Sequence, residues 1–173
     1  TYYKSQRNYP VLYMHDGQNL FDSKLAYGGD SWGIFEAYKN NPDLPQIIVV
    51  GIENGQSERT NELVPFKFNF ANIGAHEHRD ALVGGKADLY HNFILNDVKP
   101  FIDKNFRSFK SAKNTGIMGS SFGGVSSMYA ACHYNDYFSR FGCLSNAWYV
   151  VQDEMEKMIQ KSDLSKVKKL YMD

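Results

Sequence analysis

Short apolar runs alternate with longer segments of helical character along this chain. Runs of strand length predict strands at residues 9–14, 47–52, 115–118, 138–144 and 167–172. The longer segments between them predict helices at residues 31–39, 88–105, 121–133 and 152–161. In the second helix Ile94, Val98 and Ile102 share one face, and Pro100 is expected to kink it or to start a new turn.

The alternation of strands and helices indicates the fold class. Because the predicted strands are apolar almost throughout, we expect them to be buried in a mostly parallel sheet with helices on both faces, an α/β fold. The chain has no internal repeat or linker, so residues 1–173 are interpreted as a single domain. Binding sites of such sheets lie beyond the carboxyl ends of the strands.

Composition and charge exclude several classes of partner. The 173 residues include 19 basic and 19 acidic side chains, so neither a nucleic acid nor an anionic membrane is expected as a main partner. The sequence has neither an apolar run long enough to span a bilayer nor a recognisable signal peptide. Two cysteines, Cys132 and Cys143, fit a reduced cytoplasmic protein better than a disulfide scaffold. The oligomeric state stays open.

One pentapeptide in the sequence indicates a catalytic function. Residues 119–123 read G-x-S-x-G, with a further glycine at Gly124, and they lie between a predicted strand and a predicted helix. In a nucleophile elbow the serine occupies a strained strand-to-helix turn, where flanking glycines let the two backbones approach closely. This pattern makes Ser121 the candidate catalytic nucleophile of a serine hydrolase.

A second loop, His15-Asp16-Gly17-Gln18, follows the first predicted strand and should lie at the same edge of the sheet. An oxyanion hole in acyl transfer typically uses the amide after the nucleophile and an amide from a loop that follows an earlier strand. The backbone N–H groups of Phe122 and Gln18 are therefore the predicted oxyanion hole. A plain strand-to-helix turn that uses Asp-Gly chemistry is the alternative for this loop.

Six features recur in the same order in a known family: residues 9–21, residues 50–55, Arg59 with Glu62, residues 99–103, residues 119–124 and residues 144–148. In these segments the chain resembles the putative-esterase (esterase D-like) family of α/β-hydrolases. That family includes S-formylglutathione hydrolases, enterochelin esterases, feruloyl and acetylxylan esterases and mycolyltransferases. The resemblance covers essentially the whole chain. It implies an α/β-hydrolase fold, Ser121 as nucleophile and the Gln18 and Phe122 amides as oxyanion hole. It implies no metal and no organic cofactor.

The histidine of a catalytic triad is missing from its expected place. On this fold the triad runs Ser, then Asp or Glu, then His, yet only His133 follows Ser121, and it should point away from the serine. We therefore expect the chain to be a fragment, truncated at both ends, with the catalytic histidine and acid beyond residue 173. Asp173 is a weaker candidate for the acid. Trp148 and Tyr149, which follow the fourth strand, are candidates for the substrate pocket.

Two other groups are weaker candidates for a site. His76, Glu77 and His78 do not have the four-residue histidine spacing of a zinc-binding helix, so a solvated loop is the preferred interpretation. Arg59 and Glu62 could contact substrate, but a pair that braces the long loop at residues 53–86 is favoured.

Together the sequence predicts a serine esterase that acts on a small-molecule, siderophore or carbohydrate-linked ester through an acyl-enzyme on Ser121. Two alternatives remain open, an acyltransferase with the same nucleophile and a non-catalytic binding domain on a hydrolase scaffold.

Overall fold

A computed structural model describes residues 2–69 and 82–173. Its strands are β1 (Val11–His15), β2 (Ile48–Ile52), β3 (Phe68–Asn69), β4 (Leu82–Val83), β5 (Thr115–Ser120), β6 (Arg140–Leu144) and β7 (Lys169–Met172). Its α-helices are α1 (Ile34–Asn40), α2 (Arg59–Leu63), α3 (Ala87–Phe93), α4 (Lys99–Asn105), α5 (Phe122–His133) and α6 (Gln152–Lys161).

Five strands form one parallel sheet in the order β2-β1-β5-β6-β7, while β3 and β4 form a separate antiparallel pair. All five carboxyl ends therefore lie at one edge. The strand that follows β1 in the sequence, β2, lies on one side of the β1–β5 pair, and the strand that follows β5, β6, lies on the other side. The strand order therefore reverses between β1 and β5. Ligands of open α/β sheets bind in the crevice at such a reversal.

The core lies between the sheet and the helices packed on it. α5 packs against β5 and β6, and most of its residues are buried, including Val125 and Met128. A helix that is apolar on nearly all sides belongs in a protein interior. The same hydrophobic core includes the fully buried Tyr13 of β1 and Ile117 of β5. This packing anchors α5, so the turn that leads into it is firmly held.

The α/β fold is confirmed, since the mostly parallel sheet is surrounded by helices, and the five predicted strands agree with the sheet strands to within two residues. The predicted helix at 88–105 consists of α3 and α4 joined by a π-helical turn, Ile94–Val98. Pro100 explains this turn, because proline lacks an N–H group and its ring clashes with the carbonyl four residues earlier. The described part of residues 53–86, which the sequence indicated as one long loop, contains α2 and the β3–β4 pair. None of the helices within the described residues is long and apolar enough to cross a membrane.

Candidate active site

Ser121 occupies a strained turn between β5 and α5. Its φ and ψ angles of 57° and −120° lie far from the conformations that a residue with a side chain ordinarily adopts. The Ser121 N–H group donates to the Leu144 carbonyl at 3.0 Å. The Ser121 carbonyl accepts from the N–H groups of Gly124 at 3.0 Å, Val125 at 3.2 Å and Ala147 at 3.2 Å. Hydrogen bonds to α5 and to the end of β6 therefore hold the strained peptide in place.

The glycine before this serine is required by close packing. A Cβ atom on Gly119 would lie 2.8 Å from Cδ2 of His15 and 3.0 Å from the backbone of Gly123, closer than a Cβ normally approaches another atom. The strand and the first turn of α5 can therefore approach each other only because position 119 has no side chain. This is the packing that the G-x-S-x-G pattern predicts.

The loop after β1 is also built around an unusual backbone. Asp16 has left-handed φ and ψ angles of 58° and 49°, and a short 3₁₀ turn, Gly17–Asn19, follows it. Gly17 packs against β2, where a Cβ atom would lie 2.6 Å from the carbonyl carbon of Gly51. The Gln18 side-chain oxygen accepts from the Asn54 N–H group at 3.3 Å. The loop that carries the Gln18 amide is thus fixed against β2 and the segment after it.

These two loops line one cleft of about 650 Å³ at the carboxyl edge of the sheet. That volume is typical of small-molecule sites. Most of the residues that line the cleft are polar, and Leu25 and Tyr27 contribute two exposed hydrophobic side chains. The lining residues are Asp16, Gln18, Asn19, Leu25, Tyr27, Asn54, Gln56, Ser57, Arg59, Ser120 and Ser121. The structure thus brings together Ser121 and Gln18. Phe122 is the first residue of α5, and the first N–H groups of a helix have no partner within the helix.

A partly buried ion pair lines the cleft. Arg59 donates to both Asp16 carboxylate oxygens, from Nε at 2.7 Å and from a terminal nitrogen at 2.8 Å, and Asn54 donates to the same carboxylate at 2.6 Å. Burial alone would raise the pKa of Asp16, but the hydrogen bonds and charge of Arg59, with help from Asn54, lower it below its usual value. Asp16 is therefore ionised at neutral pH.

The expectation that Arg59 pairs with Glu62 is wrong. Glu62 accepts a hydrogen bond from the Gly55 N–H group at 2.8 Å, whereas Arg59 is paired with Asp16. Both residues belong to the short α2, and the Arg59 side chain reaches the loop after β1 while Glu62 bonds to the segment before α2.

Sequence reasoning missed a buried aromatic and histidine cluster behind the elbow. The Nδ1 atom of His15 is hydrogen-bonded to the Tyr90 hydroxyl at 2.8 Å, and the His15 and His91 rings make an edge-to-face contact at 5.9 Å. Both rings are buried. Burial lowers the pKa of His15 to about 4, with Asp16 opposing and Arg59 adding to the shift, and burial also lowers the pKa of His91. Both histidines are therefore neutral. The apolar positions of α3 gave no indication that Tyr90 and His91 would meet His15.

Each of the three histidines among the described residues contacts a group other than Ser121. His15 is hydrogen-bonded to Tyr90, and His91 to the Ser126 hydroxyl at 2.9 Å. His133 is the last residue of α5 and packs against the Tyr129 ring. At 1.5 Å per residue a helix of this length places it roughly 18 Å from the serine. His133 therefore lies far from Ser121, at the opposite end of α5. The group at residues 76–78 lies outside the described residues.

The remaining predicted site residues lie at the same edge of the sheet. Asp173 follows β7, and its carboxylate accepts a hydrogen bond from the Ser145 N–H group, just after β6. Trp148 and Tyr149 belong to a 3₁₀ turn, Trp148–Val151, and are not among the residues that line the cleft. Their roles as acid and pocket residues stay predictions. Within residues 2–69 and 82–173, no group of three His, Cys, Asp or Glu side chains is placed to hold a metal ion.

The strained serine between strand and helix, on a parallel sheet of this order, defines an α/β-hydrolase fold. Solved structures with the same fold include an IroE-like serine hydrolase from Shewanella oneidensis, with a TM-score of 0.77 and 23% identity over 99% of this chain and 52% of that one. They also include the enterobactin esterase FES from Shigella flexneri, with a TM-score of 0.64 and 18% identity over 95% of this chain and 38% of that one.

The family follows from the sequence itself. The family model described as Putative esterase matches residues 1–173, so the chain belongs to this family. The protein YbbA of Bacillus subtilis (strain 168) is 26% identical over 150 residues, which are 86% of this chain and 54% of YbbA. The chain therefore spans about half the length of YbbA and of the IroE-like hydrolase.

Proposed function

We propose that this chain carries the nucleophile and the oxyanion hole of a serine esterase that hydrolyses a carboxylic ester. The observation that carries the proposal is the Ser121 backbone, with φ of 57° and ψ of −120°, in a cleft shared with the Gln18 loop. Strained backbone clusters at functional sites, where the surrounding structure must hold it in place. Membership of an esterase family supports the same chemistry.

The reaction has two half-reactions. A histidine base takes the proton from the Ser121 hydroxyl while its oxygen attacks the ester carbonyl, and the N–H groups of Gln18 and Phe122 stabilise the resulting oxyanion. The intermediate collapses, the C–O bond to the alcohol breaks, and the alcohol leaves with the proton that the histidine returns. Water then attacks the acyl-enzyme by the same route and releases the acid.

The positive end of α5 favours this chemistry. Ser121 immediately precedes Phe122, the first residue of this twelve-residue helix. A helix N-terminus carries about half a positive charge and stabilises a nearby anion, an effect that falls off beyond the first turn. The oxyanion forms on the carbon bonded to the Ser121 oxygen, so it lies close to this end of the helix.

Substitution of Ser121 tests the proposal. In the complete protein, Ser121→Ala should abolish hydrolysis of a short-chain p-nitrophenyl ester and labelling by a fluorophosphonate probe. Ser120→Ala is the matched control, because Ser120 is the neighbouring serine of the same cleft, and this variant should keep both. Retained hydrolysis by Ser121→Ala would refute the assignment. If wild type incorporates no probe, a non-catalytic binding domain is favoured instead.

A substrate screen can identify which class of ester the protein hydrolyses. Solved structures with this fold include siderophore hydrolase EstA from Aspergillus nidulans and the enterobactin esterase FES. At 18% identity these likenesses establish the fold and leave the substrate to experiment. A screen of the complete protein should therefore compare a catecholate trilactone with formyl-thioester, feruloyl and acetyl-xylan substrates. An added alcohol that outcompetes water as acceptor would indicate an acyltransferase.

A further inference from the structure

Arg59 contacts one side chain from each of the two segments that carry the proposed oxyanion donors. Its guanidinium group makes two hydrogen bonds to Asp16, two residues before Gln18. The guanidinium carbon also lies 5.7 Å from the centre of the Phe122 ring, within the range of a cation–π contact. One side chain thus touches the loop after β1 and the first residue of α5.

The two groups that Arg59 contacts, the Asp16 carboxylate and the Phe122 ring, are themselves held in place by other residues. The Asp16 side chain is only 6% exposed, and its carboxylate also accepts from Asn54. The Phe122 side chain is buried, and its ring packs against Phe68 with the ring centres 6.1 Å apart. Arg59 begins α2, which is anchored by the fully buried Leu63. The three groups therefore form a rigid bridge from β1 to α5.

The charge of Arg59 is already neutralised in this arrangement. A two-point contact between guanidinium and carboxylate satisfies the geometry of both groups. Burial of Asp16 strengthens the attraction, because a charge pair is screened less away from water. An anionic substrate would have to compete with Asp16 for the guanidinium group. This favours a structural role for Arg59 at the cleft over a role as an anion-binding residue.

We infer that Arg59 is a positioning residue that sets the spacing between the Gln18 and Phe122 N–H groups through Asp16 and the Phe122 ring. The inference rests on the proposed function, since the spacing matters only if these two groups stabilise an oxyanion. Oxyanion donors must lie about 2.7–3.1 Å from the developing charge, so a small shift of either loop weakens catalysis.

Arginine substitutions in the complete protein test this role. Arg59→Lys keeps the charge but lacks the planar fork that binds both Asp16 oxygens, and Arg59→Ala removes the bridge. Both variants should lower kcat at least about tenfold with little change in KM, as expected when interactions made only in the transition state are weakened. The rate of fluorophosphonate labelling should fall in parallel. Added guanidinium ion should restore part of the kcat of Arg59→Ala.

Two comparisons separate positioning from other roles. The control Lys86→Met removes a cation whose partner Glu58 immediately precedes Arg59, but both side chains of this pair are about half exposed, so kcat should not change. The combination of Arg59→Ala with Asp16→Asn should be no slower than the slower single variant, because both remove the same bridge. Independent effects that multiply would contradict the inference.

The outcomes also distinguish this inference from the proposed function. A folded Arg59→Lys variant with unchanged kcat would overturn the positioning role, as would a loss confined to the KM of anionic esters when neutral esters are unaffected. In either case Ser121→Ala would still be inactive, so the esterase proposal would stand. Circular dichroism and urea unfolding establish that each variant is folded, and if Arg59→Ala does not fold, Arg59→Lys decides the question.

Discussion

A single added methyl group at Gly17 should impair the active site without touching Ser121. Gly17 lies beside β2, and a Cβ atom there would be 2.6 Å from the Gly51 carbonyl carbon and 2.7 Å from the Ile52 nitrogen. These are backbone atoms of a sheet strand, which cannot move aside as a flexible side chain could. Because carbon atoms normally pack at about 3.5 Å or more, Gly17→Ala must displace the loop by roughly 1 Å.

The displaced segment includes Gln18, the next residue. A misplacement of about 1 Å can cost about 10²-fold in rate, and the loss of one oxyanion donor costs about 10²- to 10³-fold. We therefore expect Gly17→Ala to lower kcat by about 10²-fold, or about 2.7 kcal/mol of barrier. Overpacking should also lower the free energy of unfolding by about 1–3 kcal/mol.

The assay measures kcat and KM for a short-chain p-nitrophenyl ester together with urea unfolding, in the complete protein. The control is Gly116→Ala at the amino end of β5, where the added atom would meet Cδ1 of Leu12 at 3.2 Å and the Arg140 carbonyl at 3.3 Å. This control should lose some stability but keep its kcat. A folded Gly17→Ala protein with wild-type kcat would refute the reasoning, because it would show that the position of this loop does not limit the reaction.

Two further predictions concern stability. Burial lowers the pKa of His15 to about 4 in the folded chain, below the value of about 6.5 in unfolded chains. The neutral His15 ring therefore contributes fully to the free energy of unfolding above pH 6.5, and this contribution is lost as the pH falls towards 4. Between pH 7 and pH 5 the wild-type chain should lose about 2 kcal/mol more of its unfolding free energy than His15→Asn, and an identical loss in urea titrations would contradict this. Lys99 and Asp103 form a largely buried ion pair at 2.6 Å, so Asp103→Ala should destabilise the chain by about 3 kcal/mol. The additional change Lys99→Met should recover part of that loss in the same titration, because it removes the unpaired charge, whereas a further loss would show that the pair is not the cause.

The sequence predicted the sheet well because its strands are short apolar runs. The expectation that all of them are buried is correct for most of β1, β5 and β6, whereas β2 is mostly half-buried and β7, at the edge of the sheet, is exposed. Residues 47–52 and 115–118 have no helical periodicity, and they became β2 and β5 with shifts of only one or two residues at their ends. The elbow was predictable for a related reason, since the close approach of strand and helix requires glycine at position 119 and leaves a local pattern in the sequence.

Contacts between distant segments were not predictable in the same way. Arg59 pairs with Asp16, and His15 with Tyr90, across long stretches of chain, and neither pair has a periodic pattern. α2 is only five residues long, too short for hydrophobic periodicity to reveal it. These contacts depend on the strand order, which brings the loops after β1 and β2 together. No local sequence pattern predicts the strand order.

The hydrogen bonds around Ser121 bear on how this active site could be transplanted or evolve. The N–H and C=O groups of Ser121 are both bonded to residues at or after the end of β6, Leu144 and Ala147, so part of the support for the elbow is encoded more than twenty residues later in the chain. A designer who grafts only residues 119–124 onto another scaffold would transfer the motif without this support. Insertions at residues 145–147 should therefore be tolerated far less well than surface loops usually tolerate them.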